Sequence, residues 1–226
     1  MRRRPVIAID GPMGAGKGTV ARLLAKRLGY RYVDTGAMYR AVAWRVLREG
    51  IPPEDGGRVA ELARALELRI QPSPEGFRIW CDGEDVTEAI RSVEVNAVVA
   101  RVAAHPEVRA FLTARQRTLA EGGGVVMEGR DIGTVVVPEA ELKIYLDASL
   151  EERARRRWAE FQAAGLEIPY ERVLEIVRRD DELARNRAVA PLRRAPDARV
   201  VDTTGRTPEE VVEEIAALAR ALEGER

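Results

Sequence analysis

The chain has a single cysteine, Cys81, so it holds no internal disulfide framework, and its place in an apolar run reads as a small residue packed in a strand. No apolar stretch reaches the roughly 20 residues that a membrane-spanning helix needs. Met1-Arg2-Arg3-Arg4 runs at once into an apolar strand, not into a signal-peptide core, and we expect a cytoplasmic protein. Neither sign of charge is in excess: Lys+Arg and Asp+Glu are 37 each, so nothing global favours a nucleic-acid or membrane partner. Lysine occurs only at Lys17, Lys26 and Lys143, and amide residues are sparse; both fit a hot habitat or GC-rich coding and say little about function. There is no internal repeat and no low-complexity tract. The absence of a sustained heptad, with net neutrality, favours a monomer. A length of 226 residues suits one large domain, or one domain with insertions, and can bury a substantial core.

The most informative stretch is Gly11-Pro12-Met13-Gly14-Ala15-Gly16-Lys17-Gly18-Thr19. It follows the apolar run Val6–Asp10 and precedes an amphipathic segment, Thr19–Leu28. Strand, glycine loop and helix in that order are the context in which a phosphate-binding loop is credible. Glycines let the backbone turn tightly and aim successive N–H groups inward, the helix adds its positive N-terminus, and Lys17 supplies a point charge. Such a loop holds the tail of a nucleoside triphosphate. The residue after Lys17 is Gly18, and the hydroxyl comes at Thr19. The Mg²⁺-holding hydroxyl of switch-type NTPases directly follows the lysine, so this ending points instead to nucleoside monophosphate kinases.

Further strands are expected at Tyr30–Asp34, Val125–Glu128, Leu142–Leu146 and Arg199–Asp202, with helices over 37–49, 58–66, 93–104 and 107–121, an Arg-rich helix capped by Ser149, and a last helix opened by Thr207-Pro208. Five short apolar strands alternating with helices predict an α/β fold with a parallel five-stranded sheet, and ligands at the strands' C-terminal ends. Residues 68–91 change character. Strand-like runs broken by Pro72-Ser73-Pro74-Glu75-Gly76 and Asp82-Gly83 predict a small antiparallel β insertion outside the central sheet.

Four motifs then occur in order: Gly11–Thr19, Val33-Asp34-Thr35-Gly36-Ala37-Met38-Tyr39-Arg40-Ala41, Gly129-Arg130-Asp131-Ile132-Gly133-Thr134-Val135-Val136 and Asn186-Arg187-Ala188-Val189-Ala190-Pro191-Leu192. Together they resemble the long form of the bacterial cytidylate (CMP) kinases, P-loop nucleoside monophosphate kinases, over nearly the whole chain and including the β insertion. The resemblance implies transfer of the γ-phosphoryl group of ATP to CMP or dCMP, with Mg²⁺ carried by ATP and reached through Thr19 if through any side chain. It implies no partner beyond these small molecules. It places the donor on Gly11, Pro12, Met13, Gly14, Ala15, Gly16, Lys17, Gly18 and Thr19, with Arg157 the arginine of the 153–157 group chosen to meet ATP. It places the acceptor's phosphate on Thr35, Arg40, Arg130 and Arg179, its base on Arg109 and Asp131, and catalysis on Lys17, Arg130 and Arg187. The chemistry asks for such residues: two anions must be held in line while charge spreads over the transferring oxygens, which needs guanidinium forks and no covalent nucleophile.

The resemblance also divides one kinase domain into a core (1–35, 107–150 and 195–226), a monophosphate-binding subdomain with the insertion (36–106) and a helical lid (151–190). Three positions depart from the family pattern. Ala100 stands where the family has a cytosine-contacting serine. Glu128 replaces an aspartate. The lid carboxylate falls on Ala184 if counted back from Arg187, or on Glu182 in the register Arg178, Glu182, Arg185. A kinase of the same fold for UMP, AMP or a metabolite such as shikimate remains an alternative, as does a nucleotide-gated switch, against which the Gly18 position counts.

Overall fold

The computed structural model describes residues 4–73 and 76–224; the expected turn at Pro74-Glu75 and the leading Met1–Arg3 lie outside the described residues. The chain divides into two compact units, one formed by 1–31 and 122–226 and the other by 32–121.

The first unit is built on β1 (Val6–Asp10), every residue of which is buried. It can be apolar throughout because it lies between two parallel neighbours, β6 (Val125–Gly129) and β7 (Leu142–Asp147), so both of its faces are covered. β8 (Arg199–Asp202) pairs in parallel with β7. With β2 (Arg31–Asp34), whose first N–H donates to the Gly124 carbonyl at 2.9 Å, these make the predicted five-stranded sheet in the order β2-β6-β1-β7-β8. Helix α1 (Lys17–Leu28) packs on β6 and on the last helix, α8 (Pro208–Gly224). The start of α8 is a reciprocal cap: Thr207 Oγ1 accepts from the Glu210 amide and the Glu210 carboxylate accepts from the Thr207 amide at 2.8 Å. Helices α6 (Leu150–Ala163) and α7 (Tyr170–Arg185) form a pair around the buried Ala154, Val173 and Val177.

The second unit carries α2 (Thr35–Arg48), α3 (Gly56–Ala65), the antiparallel sheet β3 (Leu68–Ser73), β4 (Gly76–Cys81) and β5 (Glu84–Asp85), then α4 (Val93–Val102) and α5 (Pro106–Ala120). Its core gathers Met38, Val42, Trp44, Phe77, Ile79, Ile90 and Leu112. Helix α2 starts two residues before the expected Ala37, because the Asp34 carboxylate accepts from the Ala37 amide at 2.9 Å and caps it. Thr35 is therefore a buried first-turn residue and not a loop residue. Helix α5, which the resemblance assigns to the core from 107 onward, groups with this unit through its packing on α3 and α2.

Candidate donor and acceptor sites

The loop between β1 and α1 can follow its path only with glycine at two places. A Cβ on Gly11 would lie 2.1 Å from the Leu146 carbonyl oxygen of β7, and one on Gly14 (φ +76°) would lie 2.6 Å from the Arg153 carbonyl oxygen of α6. The loop is thus pressed against two elements, and its amides are fixed before any ligand arrives. Lys17, at the first position of α1, turns its Nζ back to donate to the Pro12 carbonyl at 2.8 Å. Withdrawal from water lowers its pKa to about 8, helped by Arg130 and opposed by Glu128, Asp180 and Asp10.

Of the arginines on α6, two touch the loop. Arg153 is buried, donates to the Met13 carbonyl at 3.2 Å and forks onto Asp181 of α7 at 2.8 and 2.7 Å. Arg156 donates to the Gly14 carbonyl at 3.4 Å and to Thr203, which itself donates to the Ala15 carbonyl at 3.2 Å. Arg157 lies instead over the Phe161 ring and pairs with Glu160 at 2.7 Å. In the sequence Arg153 stands out only as one of the 153–157 group, Thr203 only as the residue after a strand, and Asp181 not at all. The contacts that join Arg153 to Asp181 and Thr203 to the loop span 28 and 188 positions, and only the Ser149 cap hinted that this helix starts beside the loop. Because the Arg153–Asp181 pair is buried, removing one member strands the other. Asp181→Ala should cost about 3 kcal/mol of stability, read by denaturant unfolding, and the apolar double replacement Arg153→Met with Asp181→Leu should recover most of it.

Beyond β6 the chain presents Arg130 and Asp131. Arg130 donates to Asp180 of α7 at 2.9 Å, and Asp131 is buried. A short π-helical turn, Ile132–Val136, follows, where no helical element was expected. Arg179 is exposed on α7, and Arg187 lies partly buried just beyond that helix. Glu128 is buried at the end of β6.

In the second unit, Arg40 reaches back one turn of α2 to the capping carboxylate of Asp34 at 2.5 Å. Arg109, on α5, is buried; it lies over the Tyr39 ring of α2 at 5.3 Å and donates to the Ala103 carbonyl at 3.3 Å. Two arginines that the resemblance assigns to the acceptor are thus held in set orientations, one by the carboxylate that caps α2 and one by an aromatic face of α2. Ala100 is exposed on α4.

A glycine loop leading from the first strand of a parallel sheet into a helix, with an inward lysine and arginines at the strand ends, defines a P-loop kinase. The fold is shared with shikimate kinase from Acinetobacter baumannii (TM-score 0.50, 17% identity, 96% of this chain and 93% of that one). The cytidylate kinase family model matches residues 7–221, and the chain belongs to that family. It is 53% identical over 215 residues to the cytidylate kinase of Geobacillus kaustophilus, covering 95% of this chain and 96% of that one. It is 52% identical over 226 residues to that of Geobacillus thermodenitrificans, covering 100% and 99%. It is also 51% identical to the bifunctional pantoate ligase/cytidylate kinase of Gloeobacter violaceus, of which it spans 43%.

Proposed function

We propose that this protein transfers the γ-phosphoryl group of ATP to CMP and dCMP by direct in-line displacement. The observation that carries the reading is the pre-set loop 11–19 with Lys17 at its end, in a chain of the cytidylate kinase family. The loop amides cradle the triphosphate tail, and Lys17 exchanges the Pro12 carbonyl for the outer phosphates. Arg40 and Arg130 each rest on a carboxylate, Asp34 and Asp180 respectively, and each exchanges it for the acceptor's phosphate. Arg109 and Asp131 read the cytosine edge, and Arg179 and Arg187 close on the phosphates.

Among the described residues no group of three or more His, Cys, Asp or Glu could hold a metal ion. The reading places the ion on the nucleotide, with Thr19, exposed on the first turn of α1, as the side chain offered to it. Thr19 would hold Mg²⁺ there, and the ion would supply neutralisation of phosphate charge.

We also propose that residues 151–190 act as a lid. The segment ends in exposed arginines and is tied to the loop by Arg153 and Arg156. Closure excludes the water that would otherwise hydrolyse ATP. Hydrogen exchange across these residues should slow when a bisubstrate mimic binds; unchanged exchange would remove the lid.

The activity itself is tested by measuring ADP formation with CMP, dCMP, UMP and AMP side by side. CMP and dCMP should support turnover at least about tenfold above AMP, since a site built to pair a base edge rejects one that leaves its polar groups unmatched. Turnover with none of the four, or a preference for AMP, would refute the reading. Ala100 offers no hydroxyl, so UMP should be rejected less sharply than AMP.

A further inference from the structure

Asp10, the last residue of β1, is buried just before the phosphate loop. Its two carboxylate oxygens accept from two consecutive amides across the sheet: Oδ1 from Ile132 at 2.7 Å and Oδ2 from Gly133 at 2.8 Å. These are the first amides of the π-helical turn, which have no acceptor within their own turn, and the turn directly follows Arg130 and Asp131. From these contacts we propose that Asp10 is a positioning residue for the phosphoryl acceptor: by gripping the Ile132 and Gly133 amides it fixes where Arg130 and Asp131 are presented.

Three features make this more than a cap. A fork on two adjacent amides fixes the orientation of a peptide plane as well as its distance, so the two residues before it have little freedom left. The approach is close: a Cβ on Gly133 would lie 3.4 Å from Asp10 Oδ2, in contact with the carboxylate, and 3.2 Å from the Lys143 stem. The carboxylate is also kept at a cost to stability. Burial and the neighbouring Asp131 push its pKa up to about 6, although both amides and the Lys17 charge favour the ionised form. Turns with π-helical hydrogen bonding occur often where a chain carries functional groups, and here the two groups just upstream are those assigned above to the acceptor.

The inference rests on the proposed CMP kinase reading, and its test separates the two. Asp10→Asn keeps the shape but turns an amide N–H toward one of the two backbone donors. We expect kcat/KM for CMP to fall about 100-fold, the size of effect an ångström of misplacement produces, while the KM for ATP stays within about twofold. Amide exchange at Ile132 and Gly133 should quicken in the same variant. Asp10→Ala, which leaves both amides without their acceptor, should reproduce the CMP-specific loss in at least equal measure. A rise in the KM for ATP equal to that for CMP would assign Asp10 to the donor loop and overturn the proposal. Unchanged constants in either folded variant would overturn it too. If the wild-type protein turned over no CMP, the functional reading would fail, and faster exchange at Ile132 and Gly133 in Asp10→Asn would still support the clamp, while unchanged exchange would reject it.

Discussion

Replacing Lys17 with methionine should cut kcat by about a thousandfold and at the same time raise the melting temperature of the nucleotide-free protein. The first effect follows from where the ammonium sits. It is the one cation on the loop itself, and it rests on a backbone carbonyl. Its value to the protein is realised only when phosphate charge develops beside it. The second effect follows from the cost of holding it. The folded pKa of about 8 lies below the usual 10.5, so the folded state disfavours the charged lysine. The penalty is complete below about pH 8 and fades as pH rises toward 10.5, where the unfolded lysine also discharges. Methionine removes that penalty. The gain should be on the order of 1 kcal/mol or more, about 2–4 °C for a chain of this size. It should be largest at neutral pH and shrink above pH 8. Thermal melts at pH 7 and pH 9.5 read the sign directly. A variant that is inactive and less stable at both would mean that Lys17 supports the fold and not the reaction.

Arg109→Met should raise the KM for CMP by about 10- to 100-fold, the equivalent of one lost charge-assisted hydrogen bond, and leave the KM for ATP within about twofold. Arg109 is one of few buried arginines; it lies over the Tyr39 ring and donates to the Ala103 carbonyl. Methionine keeps the apolar stem against Tyr39, so folding should survive and a Tm within a few degrees of wild type would confirm that. Steady-state constants for both substrates decide the matter. Equal weakening of CMP and ATP would mean that Arg109 shapes the whole second unit and reads no base.

Much of this architecture could be read from the residues alone, because it depends on local chemistry. Glycine spacing marks the phosphate loop, alternating apolar runs mark the strands, Ser149 and Thr207 mark helix starts, and the Pro- and Gly-punctuated stretch from Leu68 marks the small antiparallel sheet. What could not be read depends on partners far away in the chain. Helical spacing puts Arg153, Arg156 and Arg157 on similar faces of α6. Only the fold shows that Asp181 and Thr203 stand opposite the first two, while Glu160 and Phe161, on the same helix, engage the third. The turn after Asp131 was invisible for the same reason: its first amides are satisfied by Asp10, 122 positions earlier. Helix α2 starts two residues before the expected Ala37 because Asp34 both ends β2 and caps the helix.

The central claim is that the backbone of residues 11–19 and the Lys17 ammonium hold the phosphoryl donor. A crystal of the protein soaked with a non-hydrolysable ATP analogue tests it most directly. The account predicts the β- and γ-phosphates against the amides of this loop, with the lysine Nζ moved off the Pro12 carbonyl and onto phosphate oxygen. A triphosphate tail bound anywhere else, or a lysine still bonded to Pro12 with the nucleotide in place, would contradict it.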